Sequence, residues 1–102
     1  MKSVFILSFM VFIGRIYSQP LVIAHRGASA CKPENSISAF EEAIKMKADY
    51  IETDVHQTKD GIVVIMHDFS VSRTCTTPKN SISDIKDLSF SEFSALKIKG
   101  TD

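Results

Sequence analysis

Two acidic residues at short spacing suggest a metal-binding strand in this sequence. Glu52 and Asp54 are two residues apart in an apolar segment, so on a β-strand both side chains point to the same face. Two carboxylates aimed together repel each other unless a cation or a proton lies between them, and hard oxygen ligands favour Ca²⁺ or Mg²⁺. We therefore predict that Glu52 and Asp54 bind a divalent cation. The alternative is a solvated strand face.

Two histidines and an arginine flank this carboxylate pair in the predicted structure. His25 ends one apolar run and His67 ends another. Two histidines near a metal can divide the roles of general base and general acid, because imidazole titrates near neutrality. Arg26 follows His25, and its planar guanidinium can hold a phosphate through two hydrogen bonds. We predict that His25 and His67 are catalytic and that Arg26 binds substrate. A structural histidine and a surface salt bridge are the alternatives.

Four further polar residues are weaker candidates. His56 continues the alternation of Glu52 and Asp54, but a hairpin surface position is the simpler interpretation. Asn35 either caps a helix or helps to hold the site. Lys59 and Arg73 could attract an anionic substrate, although we interpret both as solvated charges.

A strand, a helix and a second strand precede the hairpin. Residues 21–24 form a continuous apolar run, which is typical of a strand buried on both faces of a parallel sheet. Asn35 or Ser36 can cap a helix that extends to about Lys47. Its apolar positions fall on one face: Ile37, Phe40, Ala43 and Ile44. Residues 50–55 form the second strand, so the pattern predicts one βαβ unit with a right-handed crossover.

The next segment predicts a β-hairpin that returns a histidine to a carboxylate. Residues 55–58 and 62–66 both resemble strands, and the connection between them is too short for a parallel crossover. Asp60-Gly61 favours a two-residue turn. That turn would place Lys59 opposite Ile62 and His67 opposite Asp54, with the Cβ atoms of the latter pair roughly 5 Å apart.

The remaining sequence predicts a polar loop and a short helix. Residues 70–84 are polar, and Ser89 with Glu92 forms a capping-box pattern for a helix to about Leu96. The two buried-type strands would have open parallel edges, which proteins normally pair or cover. We therefore expect an N-terminal piece of a larger α/β barrel, or a truncated product. Cys31 and Cys75 could form a disulfide or remain free thiols.

Composition narrows the class of protein. The 102 residues carry no formal net charge and are 44% hydrophobic, which excludes wholesale disorder and a low-complexity fibre and argues against a nucleic-acid module. Residues 1–18 contain Lys2 followed by an apolar run of about ten residues, too short to cross a bilayer. We predict a signal peptide cleaved after Ser18, a secreted or periplasmic protein, and no membrane span after cleavage. A core helix is the alternative.

Five motifs occur in order and together resemble the glycerophosphodiester phosphodiesterase family. They extend over nearly the whole chain after the predicted signal peptide, and their order and spacing make the resemblance specific. The motifs are His25-Arg26-Gly27, Pro33-Glu34-Asn35-Ser36 with Ala39-Phe40, Ile51-Glu52-Thr53-Asp54-Val55, Thr58-Lys59-Asp60-Gly61 and His67-Asp68.

The resemblance implies a fold, a reaction and a set of site residues. It implies a partial TIM-type (β/α) barrel with a hairpin insertion after the second strand. It also implies metal-dependent hydrolysis of glycerophosphodiesters to glycerol 3-phosphate and an alcohol. In that reaction His25 and His67 form the acid–base pair, Arg26 contacts phosphate, and Glu52 and Asp54 bind Ca²⁺ or Mg²⁺.

The sequence departs from the family pattern in three ways. Lys47-Ala48-Asp49 replaces a Gly-Ala-Asp run, and Cys75 interrupts the two threonines that usually follow Arg73. The third metal carboxylate of the family comes from a later strand that these residues do not include. We therefore expect the 102-residue polypeptide to have little or no activity by itself.

Two other hypotheses remain open on the sequence. One is a lipid phosphodiesterase of the sphingomyelinase D kind, which shares a related barrel and a histidine pair. The other is a non-catalytic secreted fragment that binds phosphate or a partner. Arg26-Gly27 and Pro33-Glu34-Asn35 favour the glycerophosphodiesterase interpretation.

Overall fold

The structure is a computed structural model that describes residues 18–78 and 83–101. The predicted signal peptide therefore lies outside the described residues, apart from Ser18. The elements are β1 (Ile23–His25), α1 (Ile37–Lys45), β2 (Tyr50–Glu52), β3 (Val55–Gln57), β4 (Val63–Ile65), β5 (Cys75–Thr76), a 3-10 helix (Ile85–Asp87), α2 (Phe90–Ser94) and β6 (Lys97–Ile98). In this part of the chain, no helix is long and apolar enough to span a bilayer.

The predicted βαβ unit is present. β1 and β2 pair in parallel, with Ile23 beside Tyr50 and His25 beside Glu52. The connecting helix α1 is capped by Ser36, whose hydroxyl oxygen accepts a hydrogen bond from Ala39 N at 3.2 Å. The cap and the helix thus agree with the prediction, and His25 and Glu52 end neighbouring strands at the same edge.

The burial predicted for this unit is wrong. The side chains of Leu21, Val22 and Ile23 are more than half exposed, although the apolar run predicted a strand covered on both faces. Helix α1 buries Ala39 and Ala43, whereas Ile37 and Ile44 are exposed. Small side chains are needed on the buried face because the loop after β1 approaches the helix closely enough for Ala28 N to donate to Ala39 O at 2.9 Å.

The second predicted strand is divided in two. β2 ends at Glu52, and β3 begins at Val55 and pairs with β4 in a separate sheet. Thr53 and Asp54 lie between the two strands. Glu52 and Asp54 are therefore not on one continuous strand, and each contacts a different part of Arg26: Glu52 its backbone N and Asp54 its Nε.

The hairpin is present, but its predicted register is wrong by one residue. Gln57 pairs with Val63, and Thr58 N donates to Ile62 O at 2.9 Å, so three residues form the loop. Within this loop only Gly61 has a positive φ, at 85°, whereas the predicted two-residue turn needs positive φ at two positions. Thr58 stabilises the longer loop because its hydroxyl oxygen accepts from Ile62 N at 3.1 Å. Consequently Met66, and not His67, pairs with Asp54, through a 3.0 Å hydrogen bond from Met66 N to Asp54 O.

The second strand of the hairpin and the chain after it form a cluster of buried apolar residues. Its members are Val64, Met66, Val71, Cys75, Ile85 and Leu88, with Phe93 and Leu96 packed against them. The predicted polar loop includes β5, which pairs antiparallel with β6; neither strand was predicted. The capping box of Ser89 and Glu92 is confirmed at the start of α2. Both cysteines are free thiols, with Cys31 exposed and Cys75 buried in this cluster.

Candidate active site

His25 and Glu52 form one side of the candidate site. Because they end parallel neighbouring strands in register, their side chains meet at the carboxyl edge of the sheet. His25 Nε2 lies 3.8 Å from Glu52 Oε2, and both side chains are open to solvent. This edge is where the sequence predicted that a catalytic histidine and a metal ligand would lie.

A tight left-handed turn directs Arg26 into the site. Arg26 has a φ of 59° and Gly27 a φ of 79°, two successive residues in a region that non-glycine side chains avoid. A Cβ atom on Gly27 would lie 2.8 Å from the Ala39 carbonyl carbon, so only glycine lets the turn lie against α1. Arg26 N donates to Glu52 O at 3.0 Å and to Glu52 Oε2 at 3.2 Å. These hydrogen bonds hold the turn at the end of β2.

The Arg26 side chain contacts two carboxylates. Its Nη1 donates to Glu34 Oε1 at 3.3 Å, and its Nε lies 3.5 Å from Asp54 Oδ2. The Nε atom is buried and, in the described part of the chain, makes no hydrogen bond. The guanidinium of Arg26 is thus held between two carboxylates from different loops. The role of Arg26 in holding phosphate stays a prediction.

Asn35 holds the segment between β2 and β3. Its Nδ2 donates to Asp54 Oδ2 at 3.2 Å, and its Oδ1 accepts from Thr53 Oγ1 at 2.8 Å. Asn35 has a φ of 55°, a left-handed conformation that asparagine tolerates better than most residues. Of the two roles that the sequence left open, the structure gives the helix cap to Ser36 and places Asn35 against the site.

His67 lies two residues beyond β4 and is fixed from two sides. Its Nδ1 lies 2.6 Å from Asp68 Oδ1, and His56 Nε2 donates to its backbone carbonyl at 2.9 Å. A carboxylate and a carbonyl oxygen can only accept, so the proton lies on Nδ1 of His67 and on Nε2 of His56. His67 Nε2 is then left for chemistry. His56, which the sequence placed on the hairpin surface, contacts the His67 backbone.

Arg73 joins two loops of the site: it is exposed, as the interpretation as a solvated charge implied, but it also pairs with two carboxylates, which was not predicted. Its Nη1 and Nη2 donate to the two oxygens of Glu34 at 3.0 and 2.6 Å. Its Nε and Nη2 donate to the two oxygens of Asp68 at 2.5 and 3.0 Å. Hydrogen bonds from Arg73 and then from His67 hold the pKa of Asp68 well below its usual value of 3.8. Arg73 is also the main cause of the lowered pKa of Glu34.

A continuous series of polar contacts therefore connects the two predicted catalytic histidines. In order, it consists of His25, Glu52, Arg26, Glu34, Arg73, Asp68 and His67. The sequence missed Glu34 and Asp68 as parts of the site and gave Arg73 only as a weak candidate for attracting an anionic substrate. The Pro-Glu-Asn and His-Asp motifs drew attention to the first two, but no pattern indicates that an arginine 39 residues after Glu34 contacts it.

Glu52 and Asp54 supply the right donor atoms for a hard divalent cation but not a complete site. Carboxylate oxygens suit Ca²⁺ or Mg²⁺, and both side chains contact Arg26, Glu52 at its backbone N and Asp54 at its Nε. Among residues 18–78 and 83–101, no three His, Cys, Asp or Glu side chains are grouped so that they could hold a metal ion. A cation here would need further ligands from water, substrate or other residues.

Comparison with known proteins gives the family of the chain. A family model described as "Glycerophosphoryl diester phosphodiesterase family" matches residues 25–102. This chain therefore belongs to the glycerophosphoryl diester phosphodiesterase family, as the motifs predicted.

The chain is also similar to individual proteins that are named as phosphodiesterases. The chain is 46% identical over 72 residues to a glycerophosphodiester phosphodiesterase of Bacillus subtilis, a match that covers 67% of this chain and 25% of the relative. A crystal structure of glycerophosphodiester phosphodiesterase from Agrobacterium tumefaciens is similar at a TM-score of 0.71 and 32% identity, covering 78% of this chain and 33% of that one. A phosphodiesterase of Oleispira antarctica, solved in complex with the product sn-glycerol-3-phosphate, is similar at a TM-score of 0.67 and 36% identity, covering 76% of this chain and 30% of that one.

These matches also define how much of a relative the chain represents. It spans between a quarter and a third of the length of these three proteins. The similarity therefore concerns only part of each of those proteins.

Proposed function

We propose that the whole protein hydrolyses glycerophosphodiesters to glycerol 3-phosphate and an alcohol. The observation that carries this proposal is the arrangement of His25, Arg26 and Glu52 at one strand edge in a chain of this family. Support for the product class comes from the similar Oleispira antarctica phosphodiesterase, whose structure contains sn-glycerol-3-phosphate. In this proposal the chain supplies the first strands of a TIM-type barrel, and the hairpin follows its second strand.

The chemistry follows from what phosphodiester hydrolysis requires. The phosphodiester is an anion, its nucleophile must lose a proton and its leaving alkoxide must gain one. In this proposal the guanidinium of Arg26 neutralises part of the phosphate charge. His25 at the end of β1 and His67 after β4 share the two proton transfers, and Asp68 leaves Nε2 of His67 open for its part.

Glu52 and Asp54 are the residues of this chain that would hold the divalent cation, Ca²⁺ or Mg²⁺. When bound, the cation would add to the neutralisation of phosphate charge. Asn35 and Arg26 orient the two carboxylates by donating to Asp54 Oδ2 and Glu52 Oε2, respectively. The chain thus contributes two oxygen-bearing side chains whose positions are fixed by neighbouring donors.

The site of action is also a proposal. A signal peptide over residues 1–18 would place the mature protein outside the cytoplasm, in the periplasm or the medium. N-terminal sequencing of protein recovered from the extracellular or periplasmic fraction tests this point. A chain that begins at Gln19 is the expected result, and retention of Met1 in a cytoplasmic fraction contradicts it.

The activity is tested by incubating the whole protein with sn-glycero-3-phosphocholine and measuring glycerol 3-phosphate. We expect release of product with Ca²⁺ or Mg²⁺ present and loss of release after chelation. Hydrolysis that resists the chelator removes the metal from the proposal. No hydrolysis with either metal present favours a binding module over an enzyme.

A further inference from the structure

We infer that Arg73 is a positioning residue for His67, acting through Asp68, and that it does not contact substrate. The inference rests on the proposed function, in which His67 takes part in proton transfer. Its basis is the geometry of the Arg73 guanidinium, which forms four hydrogen bonds of 2.5–3.0 Å to the carboxylates of Glu34 and Asp68.

Arg73 has little capacity left to bind anything else. A guanidinium has five N–H donors, and three nitrogen atoms of Arg73 already serve two carboxylates in fork-like pairs. Two negative charges also surround its one positive charge. A phosphate would have to displace one carboxylate and would meet the field of the other. Arg73 is therefore poorly suited to hold an anionic substrate.

Arg73 fixes both the orientation and the charge of Asp68. Because Arg73 contacts both oxygens of Asp68, it sets the plane of that carboxyl group. The same contacts keep the pKa of Asp68 low, so the group stays charged and can only accept hydrogen bonds. Asp68 Oδ1 then faces His67 Nδ1 at 2.6 Å.

Asp68 in turn determines where the His67 ring carries its proton. A charged acceptor at Nδ1 selects the neutral ring form that is protonated there, which leaves Nε2 as the basic atom. Besides Asp68, the polar group packed against His67 is His56 on β3, which contacts the backbone carbonyl and not the ring nitrogens. Among the described residues, Asp68 thus determines which ring nitrogen of His67 carries the proton. Arg73 in turn fixes the orientation and the charge of Asp68.

Arg73 also ties this arrangement to the other half of the site. Glu34, its second partner, accepts from Arg26 Nη1 at 3.3 Å. Arg73 therefore links the loop that carries His67 to the part of the site that contains Arg26, although the two are far apart in the sequence. Lysine cannot reproduce this connection because its ammonium is a point charge without the planar fork.

The experiment compares Arg73→Gln, Arg73→Lys, Asp68→Asn and the double variant Arg73→Gln/Asp68→Asn in the whole protein. Lys97→Gln is the matched control, since it removes one exposed positive charge from the same part of the chain. Two quantities are measured: kcat and KM for sn-glycero-3-phosphocholine, and the ¹⁵N signals of the His67 ring, which report which nitrogen carries the proton.

We expect Arg73→Gln and Asp68→Asn each to lower kcat about 10- to 100-fold, the usual cost of removing a group that orients a functional histidine. KM should change by less than about threefold. The His67 ring should change from one protonated nitrogen to a mixture of both forms. Arg73→Lys should be intermediate, the double variant should resemble Asp68→Asn alone, and Lys97→Gln should match the unmodified protein.

Three results would overturn the inference. A raised KM with unchanged kcat would make Arg73 a substrate contact. Losses that multiply in the double variant would show that Arg73 and Asp68 act separately. If the ¹⁵N signals of the His67 ring are unchanged in Arg73→Gln, Arg73 only connects two loops and does not determine where the ring carries its proton. The ring signals need no turnover, so they decide the inference even if the proposed hydrolysis is absent. If Arg73→Gln fails to fold, Arg73→Lys gives the same readouts, because it keeps the positive charge but removes the planar fork that contacts both carboxylates.

Discussion

The two halves of the described chain are stabilised in different ways. The first half (residues 18–52) holds β1, α1 and β2 and contributes His25, Arg26 and Glu52, yet much of its apolar surface is exposed. The second half (residues 53–78 and 83–101) holds the hairpin and the elements from β5 to β6, and it surrounds a buried apolar cluster. The first half supplies most of the candidate chemistry, whereas the second half has the better core.

Hydrogen bonds connect the two halves. Asn35 contacts Thr53 and Asp54, and Arg73 contacts Glu34. Hydrogen bonds and ion pairs are directional, so they fix the relative placement of side chains more strictly than an apolar contact of similar strength. The comparison indicates that the second half acts as a folded support that presents His67 to the first half.

The largest expected effect comes from the core of the second half. Ile85 is 1% exposed, so Ile85→Ala should lower the free energy of unfolding by about 2–5 kcal/mol through lost burial and a cavity. Ile44→Ala on α1 is the matched control, because Ile44 is 67% exposed and should cost less than about 0.5 kcal/mol. Urea unfolding measures both variants.

A loss below about 1 kcal/mol for Ile85→Ala would contradict the assignment of the core. If Ile44→Ala lowers the free energy of unfolding of the whole protein as much as Ile85→Ala does, other residues cover this face of α1. The two halves would then differ less in how much apolar surface they bury.

The next prediction distinguishes two reasons why Gly27 in the first half must be glycine: its backbone conformation and its close contact with α1. Gly27→Ala combines a positive φ with a Cβ atom 2.8 Å from Ala39, so it should cost about 1–2 kcal/mol for conformation and about 1–3 kcal/mol for the clash. Gly61→Ala is the control, since its φ is 85° but its closest neighbour lies 3.7 Å away. Thermal or urea unfolding that gives the same loss at both positions would contradict the close approach of the turn to α1.

The pH dependence of stability tests the contacts between the halves. The pKa values of Glu34 and Asp68 are lowered chiefly by Arg73, from ordinary values of 4.5 and 3.8. The stability they contribute is therefore present above these values and is lost as the pH falls through the lowered ones. Arg73→Gln should be destabilised at pH 7, and the difference from the unmodified protein should shrink as the pH falls below about 4.

Urea unfolding at several pH values measures this difference, with Lys97→Gln as the control for the loss of one positive charge. A difference that stays constant from pH 7 to pH 3 would show that Arg73 stabilises the fold without these carboxylates.

The smallest expected effect compares the two helix caps. Ser36 in the first half is buried, donates to Pro33 O at 2.6 Å and accepts from Ala39 N. Ser89 in the second half is less buried and forms the capping box with Glu92. Ser36→Ala should cost about 1–2 kcal/mol and Ser89→Ala about 0.5–1 kcal/mol in the free energy of unfolding. The reverse order would contradict the greater constraint on Ser36.

Local signals in the sequence predicted much of the fold. The cap at Ser36, the capping box of Ser89 and Glu92 and the existence of the hairpin depend on residues within about five positions of one another, so a linear pattern contains them. The register of the hairpin was mispredicted because Asp-Gly suits both a two-residue turn and a three-residue loop. The hydrogen bonds of Thr58 select the second. β5 and β6 have two residues each, too few for an alternating pattern.

The candidate site was predictable as a list of residues but not as a set of contacts. His25, Arg26, Glu52 and Asp54 were identified by type and spacing, and the structure shows contacts of His25 with Glu52 and of Arg26 with both carboxylates. The connection to His67 was predicted through Asp54 and is instead made through Asp68, Arg73 and Glu34. That connection depends on tertiary structure because Arg73 meets partners on both sides of the hairpin. Which residues bind a cation, and how His25 and His67 act, stay predictions.

The central claim is that His25 and His67, which lie in different halves, serve one reaction on one phosphodiester. The most direct test is the kcat of His25→Asn, His67→Asn and the double variant of the whole protein on sn-glycero-3-phosphocholine. We predict that each single change lowers kcat about 100-fold or more, and that the double variant is little worse than the poorer single variant. Turnover that survives either single change, or losses that multiply in the double variant, would contradict a shared site.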